Sequence, residues 1–397
     1  MHKFRYNLIN CLILMETLFL KKRNFLLILI STFIIASCSG LYRSEEVFEA
    51  SPSVDEGESR STPTPTPSAT WTPGMTPLPT STPTKTPIPP TVTPTPEELI
   101  PFTSEYLLKN IEPVAYLDDP CVYLSNRWDE NKSQPGTVVV PIMFHSVVQP
   151  GREIKDSISI SMEYFEYFMA RAEQLGFSTI TTEQLISFLE NNDKIPERSM
   201  ILILDDRRPG VTRTFMPYLE SNDWTLTLAW LTRDESYDEV WWREIGQLAE
   251  SGHLDIQSHG HNSVYIQDIT PEEVVRAELF QPMRLIEERI GTAPQAHIWS
   301  GGNFTQTAID LAHEAGYQIG FTAYSRGPVM FNWIPLGEPE RSVDDPLMVL
   351  PRYWSTAADV ALEDAIRIGE EIRKNAEDVK LSEMAYLSLY CQDSAGD

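Results

Sequence analysis

Short apolar runs alternate with stretches of helical apolar spacing from residue 137 onwards. The run at 137–144 is rich in β-branched residues and predicts a buried strand, whereas residues 161–175 place apolar side chains at helical spacing and end at Gly176. The predicted strands cover residues 137–144, 177–180, 200–204, 226–230, 254–257, 296–299, 317–322 and 348–350. The predicted helices cover residues 161–175, 182–189, 239–250, 271–290, 305–315 and 356–375. This alternation predicts an α/β fold in which helices cover a parallel sheet.

Polar residues follow directly on three of the predicted strands. They are Asp205 and Asp206 after 200–204, His259 and His261 after 254–257, and Ser300, Gly301 and Gly302 after 296–299. About seven strand–helix units, with no glycine-rich phosphate loop after the first strand, favour a deformed (β/α)7-type barrel over a Rossmann sheet. The carboxyl ends of barrel strands converge on one mouth, so we expect these polar residues to share one site.

The adjacent carboxylates Asp205 and Asp206 allow two interpretations. Like charges at one strand end are costly, and one solution places one carboxylate on a metal ion and uses the other as a general base. In the other interpretation the pair caps the next turn and is neutralised by Arg207 and Arg208. His259 favours the metal-binding interpretation, because an imidazole at a neighbouring strand end is a common ligand of zinc-like ions.

The amino-terminal third of the chain has the pattern of an export signal and a tether. In residues 1–37 a basic patch precedes an apolar run, and the small residues that follow end at Cys38. This arrangement is similar to a bacterial lipobox, in which the cysteine is lipidated; an uncleaved anchor helix is the alternative. Residues 38–100 are dominated by Thr, Pro and Ser and predict a disordered, extended linker. Residues 101–136 form an amino-terminal extension to a domain at 137–397.

Composition narrows the choice of partners and compartment. The chain of 397 residues has 57 acidic and 31 basic residues, a net charge of −26, which argues against nucleic acid as a partner. The signal pattern predicts an extracytoplasmic protein held to the cell membrane by its lipid. Two of the four cysteines, Cys121 and Cys391, bracket the domain and are a candidate disulfide in an oxidising compartment.

Residues 137–353 resemble the polysaccharide deacetylases with a NodB homology domain, carbohydrate esterase family 4. The segment from Val140 to His145 is similar to the opening of the extracellular branch, and Ile203-Leu204-Asp205-Asp206-Arg207 is similar to the family's T-F-D-D-G motif. His259 fits the first histidine of the H-[ST]-x-x-H motif, with a matching lead-in from Gly252. The resemblance implies hydrolytic removal of acetyl groups from an N-acetylated cell-surface or extracellular polysaccharide.

By this resemblance Asp205 is the general base, and Asp206 and His259 hold a divalent metal ion, with zinc as the expected ion. Ser263 stands where the second histidine ligand belongs, so His261 or His145 would complete the set. No histidine follows His313 to serve as the family's late acid.

The expected substrate contacts come from the segments after two late strands. The family's R-P-P-Y motif corresponds to residues 297–300, without the arginine, and Leu350-Pro351-Arg352 resembles a later segment of the extracellular branch. We expect Trp299, Ser300, Gly301 and Arg352 to contact the polysaccharide. The alternative is a non-catalytic carbohydrate-binding protein of the same fold that has lost its metal, with Arg207 neutralising the Asp pair.

Overall fold

The structure is a computed structural model that describes residues 99–205, 208–233 and 238–391. The predicted signal segment 1–37, the lipidation candidate Cys38 and the predicted linker up to residue 98 lie outside the described residues. Asp206 and Arg207 lie outside them as well.

Strands and helices alternate through most of the described chain. The strands are β1 (Glu112–Val114), β2 (Val138–Phe144), β3 (Ser146–Val148), β4 (Ser159–Ser161), β5 (Ser178–Thr179), β6 (Arg198–Leu204), β7 (Leu226–Trp230), β8 (Leu254–Ser258), β9 (Ala296–Ile298), β10 (Ile319–Phe321), β11 (Ile334–Leu336) and β12 (Tyr353–Trp354). The helices are α1 (Pro120–Trp128), α2 (Met162–Gln174), α3 (Thr182–Asn191), α4 (Pro209–Asn222), α5 (Asp238–Ala249), α6 (Glu272–Ile290), α7 (Gln306–Ala315) and α8 (Ala358–Tyr390).

The main sheet is parallel and has the order β10-β9-β8-β7-β6-β2-β12, with β5 paired to β6. Leu350 forms a parallel bridge with Phe321 of β10, and four residues later Trp354 pairs with Met143 of β2. The segment 350–354 therefore connects the two ends of the strand order and curls the sheet into a deformed barrel. The predicted α/β fold of the (β/α)7 type is confirmed.

The apolar runs form strands because both faces of the sheet are buried. Along β6 the side chains of Met200, Leu202 and Leu204 enter one hydrophobic cluster, and those of Ile201 and Ile203 enter another. Successive side chains of a strand point to opposite faces, so one cluster lies on each side of β6. A strand buried on both faces reads as a continuous apolar run, which is the pattern the sequence has here.

Two predicted elements differ from the structure. The predicted strand at 348–350 is mostly a 3-10 turn, Pro346–Val349, because Pro346 follows a capping Asp345; the strand β12 begins only at Tyr353. The predicted helix at 356–375 continues as α8 to Tyr390. Its buried positions end at Ala376, so apolar spacing did not indicate the last turns.

The amino-terminal extension is joined to the body at both of its ends. β1 pairs antiparallel with β11, and α1 lies against the last turns of α8 through the Arg127–Glu383 ion pair at 2.9 Å. The structure also forms the expected disulfide between Cys121 and Cys391, whose Cα atoms are 5.4 Å apart. Among the residues that the structure describes, no helix is both long and apolar enough to cross a membrane.

Candidate active site

The barrel brings strand-end residues from separate parts of the chain to one mouth. Asp205 directly follows β6 and His259 directly follows β8. The distance between His259 Nε2 and Asp205 Oδ2 is 4.0 Å. The structure therefore brings these two strand ends close together, as the sequence-based prediction expected.

Asp205 is held by an arginine that comes from the far end of the barrel domain. Arg352 Nη1 lies 2.6 Å from Oδ1 and 2.9 Å from Oδ2 of Asp205, and its Nε donates to the carbonyl of Thr322 at 2.7 Å. Both charged side chains are buried. Burial opposes ionisation of Asp205, but Arg352, with smaller effects of His259 and His145, outweighs it and holds the pKa of the carboxyl below its usual value.

The imidazole of His259 has a fixed orientation. Its Nδ1 lies 2.8 Å from the backbone carbonyl oxygen of Ile298. A carbonyl can only accept, so Nδ1 carries a proton, and in the neutral form of the ring the lone pair lies on Nε2, on the side of Asp205. An imidazole held in this way is oriented as metal-binding histidines are.

The loop that carries His259 is bound to a buried carboxylate on α6. Glu278 accepts hydrogen bonds from the backbone N–H groups of His261 (3.1 Å), Asn262 (2.8 Å) and Val264 (3.3 Å). Gly260 has a φ of +89°, and a Cβ at this position would lie 2.5 Å from Glu278 Oε2. Only glycine adopts this positive φ without strain and also leaves room for the carboxylate, so the loop and the carboxylate fit each other closely.

His261 and Ser263 take different places in this loop. The Nδ1 atom of His261 lies 3.1 Å from the hydroxyl of Thr232. Ser263, at the position of the family's second histidine, has its hydroxyl 3.4 Å from that of Ser300, and Ser300 Oγ donates to the backbone carbonyl of His259 at 3.3 Å. The serine pair therefore joins the histidine loop to the turn after β9.

The predicted metal site is only partly tested by this geometry. Within residues 99–205, 208–233 and 238–391 no three His, Cys, Asp or Glu side chains lie close enough together to hold a metal ion. His261 is thus not gathered with Asp205 and His259 into such a set. Asp206, the other predicted ligand, lies outside the described residues. His259 Nε2, on the ring side opposite the Ile298 hydrogen bond, has an orientation that fits an ion.

Two of the predicted substrate contacts are wrong in this structure. Trp299 is 0% exposed, and its indole N–H donates to the carbonyl of Met348 at 2.7 Å, so the ring belongs to the core and cannot stack on a sugar. Arg352 is buried against Asp205 and is not accessible to a polymer. Ser300 is buried with its hydroxyl directed to the histidine loop, and Gly301 lies at the surface.

Sequence reasoning missed the partners of the site residues. The pairing of Arg352 with Asp205 joins positions 147 apart, and no local pattern indicates it. Glu278 had a detectable signal, because it lies among Val275, Leu279 and Pro282 on the buried face of α6. A carboxylate on an apolar helix face needs a partner, and here the partner is the backbone of the histidine loop.

Comparisons with known proteins point to one family. Residues 192–320 match the family model described as polysaccharide deacetylase. A putative polysaccharide deacetylase of Bacillus subtilis (strain 168) is 19% identical over 184 residues, which are 46% of this chain and 64% of that protein. The match therefore leaves about a third of the relative's length uncovered.

Solved structures of two deacetylases are similar to this chain at low identity. The Streptococcus pyogenes deacetylase PplD, solved with acetate, is 15% identical, has a TM-score of 0.48, and the match covers 59% of this chain and 99% of that one. A putative polysaccharide deacetylase of Bacillus anthracis is 17% identical, has a TM-score of 0.45, and the match covers 58% and 69%. Both scores are too low to support an argument about activity. The resemblance predicted from the motifs is confirmed by the sequence matches: residues 192–320 are similar to the polysaccharide deacetylases.

Proposed function

We propose that the protein is a hydrolase that removes acetyl groups from an N-acetylated polysaccharide, a reaction at non-peptide C–N bonds. The observation that carries this proposal is the pairing of an ionised, buried Asp205 with the oriented imidazole of His259, 4.0 Å away at the mouth of the barrel. The family match over residues 192–320 supports the reaction class.

The reaction adds water to the acetyl carbonyl and breaks the C–N bond, which releases acetate and a free amine on the sugar. Asp205 takes the proton of the attacking water at Oδ2, the oxygen that faces His259. Arg352 keeps this carboxylate ionised and in position. The same interaction lowers the pKa of Asp205 and therefore makes the carboxylate a weaker base. Because no histidine follows His313, we propose that Asp205 also returns this proton to the leaving nitrogen.

We include in the proposal a divalent ion, with zinc as the first choice, held by His259 and Asp206. The fixed Nδ1 hydrogen bond of His259 supports this role, because it directs the other ring nitrogen toward Asp205. Such an ion lowers the pKa of bound water toward neutrality. The third protein ligand in this proposal is His261, released from its contact with Thr232, or His145.

Equilibrium dialysis against zinc tests the ion apart from activity. We expect about one zinc per chain in the wild type, loss of it in His259→Ala and in Asp206→Ala, and retention in His313→Ala, whose side chain pairs with Asp345 outside the mouth. Wild-type protein that binds no zinc at saturating concentration would argue against a zinc-dependent mechanism.

Acetate release from an N-acetylglucosamine oligomer tests the activity. We expect turnover by the wild type and by His313→Ala, and a loss of about a hundredfold or more in Asp205→Asn, the range typical for removal of a general base. Equal rates in Asp205→Asn and the wild type would refute the assigned role.

A non-catalytic carbohydrate-binding protein is the second candidate. Two observations favour it: Ser263 replaces a histidine ligand and contacts Ser300, and Arg352 occupies both oxygens of Asp205. This candidate predicts glycan binding, measured by calorimetry, in a protein that neither retains zinc nor releases acetate.

We also propose that the protein is extracytoplasmic and anchored to the cell membrane by a lipid on Cys38. The signal pattern of residues 1–37 supports this, as does the Cys121–Cys391 disulfide, since disulfides persist in oxidising compartments. Labelling with a fatty acid in cells tests it: Cys38→Ser should lose the label, and Cys11→Ser, a control inside the signal segment, should retain it. Label retained by Cys38→Ser would contradict the anchor.

A further inference from the structure

Two exposed tyrosines flank the glycine turn that follows β9. Tyr265, in the segment after the histidine loop, is 61% exposed, and Tyr324, shortly after β10, is 48% exposed. Between them lies the turn of Gly301 and Gly302, which directly follows Ser300. Both rings therefore present aromatic surface to the solvent at the carboxyl ends of the strands.

The glycines allow both aromatic segments to approach the turn. Gly301 has a φ of +65°, and a Cβ there would lie 3.1 Å from ring carbons of Tyr265, so the ring rests on bare backbone. Gly302 has a φ of +76°, and a Cβ there would lie 2.6 Å from the backbone nitrogen of Ala323, the residue before Tyr324. Larger residues at either position would displace one of the tyrosine segments.

Both tyrosines are connected to the candidate active site through short contacts. The turn under Tyr265 begins at Ser300, whose hydroxyl donates to the carbonyl of His259 at 3.3 Å. The carbonyl of Tyr324 accepts a hydrogen bond at 3.3 Å from the backbone N–H of Arg352, which holds Asp205. The segments that carry the two rings thus contact the same residues that position the site.

We propose that Tyr265, together with Tyr324, forms a stacking platform for pyranose rings of a neutral glycan whose N-acetyl group lies at Asp205 and His259. An aromatic face packs well against the apolar face of a sugar ring, and tyrosine combines such a face with a polar end suited to an exposed site. The net charge of −26 disfavours anionic glycans and is compatible with neutral ones, or with the cationic product of deacetylation. This platform takes the place of the predicted Trp299, and the inference rests on the proposed function.

The platform makes activity depend on the number of sugar units. We expect Tyr265→Ala to raise KM for an N-acetylglucosamine hexamer about tenfold with little change in kcat, the order expected for loss of one stacked ring. The effect on the monomer should be smaller, because a single sugar unit makes fewer contacts with the platform than a hexamer does. Tyr265→Phe retains the face and should behave as the wild type, as should Tyr167→Ala, which removes a 51% exposed tyrosine from α2. An unchanged KM for the hexamer in Tyr265→Ala would overturn the proposal.

Glycan binding separates this inference from the proposed function. If the wild type releases no acetate, calorimetry with the hexamer still measures the platform: weaker binding by Tyr265→Ala supports it while the deacetylase proposal fails. Equal binding by the wild type and Tyr265→Ala, or no binding by either, overturns it.

Discussion

Arg352 lowers the pKa of the Asp205 carboxyl group from a distant part of the chain. It precedes β12, which is separated from β6 by β2 in the strand order. The guanidinium contacts both carboxylate oxygens and the carbonyl of Thr322, so the buried charges are paired and hydrogen-bonded. Burial of an ion pair is tolerated under these conditions, but removal of one partner leaves a costly unpaired charge.

Replacing Arg352 by Met tests this pairing. We expect the free energy of unfolding to fall by about 3–5 kcal/mol, because the Asp205 carboxylate stays buried without its cation. Acetate release should fall as well, since Asp205 loses its orientation. Urea unfolding monitored by circular dichroism measures the first effect. Arg367→Met, which removes exposed ion pairs with Asp364 and Glu363 and a contact over the Tyr106 ring, should cost no more than about 1 kcal/mol. Equal losses in the two variants would contradict the assigned importance of the buried pair.

His297 makes the stability of the fold depend on pH. Burial, with a smaller contribution from His259, lowers the pKa of His297 from 6.5 to about 3. The folded state keeps this ring neutral while the unfolded chain is protonated below pH 6.5, so stability is full above that pH and is lost as the pH falls toward 3. The contribution amounts to about 2 kcal/mol between pH 7 and pH 5. In His297→Gln the unfolding free energy should change less over this interval, and an unchanged pH dependence would refute the assignment.

The candidate site residues were more predictable than their hydrogen-bond and ion-pair partners. Asp205 and His259 were predictable because each directly follows an apolar strand, and strand ends of a parallel barrel meet. The burial of Trp299 was not predictable, because an aromatic residue at the end of a strand can face either the core or the mouth. Which way it faces depends on packing against the distant segment that contains Met348.

At the scale of elements, α6 and the histidine loop form one unit. The loop leaves β8 with polar, glycine-containing backbone, and Glu278 of α6 accepts the N–H groups of residues 261, 262 and 264. These hydrogen bonds replace those that a strand would have formed. The position of His259 therefore depends on a helix that starts more than ten residues later in the chain.

Replacing Glu278 by Gln tests this dependence. The amide presents an NH2 group where one oxygen accepted, so at least one loop N–H loses its acceptor, at a cost of about 1–3 kcal/mol in unfolding free energy. We expect kcat to fall more than KM for the hexamer changes, because Glu278 binds the N–H groups of residues 261 and 262, close to His259. Glu288→Gln, on an exposed face of the same helix, is the matched control and should change neither quantity. A rise in KM at constant kcat would contradict a positioning role.

The repeating elements were predictable, and the irregular ones were not. Strands buried on both faces, such as β6, are unbroken apolar runs that sequence identifies directly. The short paired strands β3 and β4, and the last turns of α8, are held mainly by contacts across the chain. Such contacts leave no local period in the sequence.

At the scale of the whole molecule, one covalent bond ties the amino-terminal extension to the last helix. Cys121 lies in α1 and Cys391 directly follows α8, at a sequence separation of 270. Arg127 and Trp128 of α1 both bind Glu383 beside this bond. The disulfide therefore closes a loop that contains the entire barrel.

Replacing both Cys121 and Cys391 by Ser tests the contribution of this loop to stability. The chain-entropy estimate for so long a loop is about 5 kcal/mol. We expect a lower unfolding midpoint in the double variant, and an equal decrease when the wild type is unfolded under reducing conditions. Coincident unfolding curves for the oxidised wild type and the variant would contradict a stabilising disulfide.

The central claim is that the mouth holding Asp205 and His259 hydrolyses N-acetyl groups of a glycan. The most direct measurement incubates the purified full-length protein with zinc and an N-acetylglucosamine hexamer, and determines acetate and free sugar amine in the same samples. We predict that the two products form in equal amounts over many turnovers, and that Asp205→Asn forms neither. No acetate from the zinc-supplied wild type, at concentrations where calorimetry shows the hexamer bound, would contradict the claim.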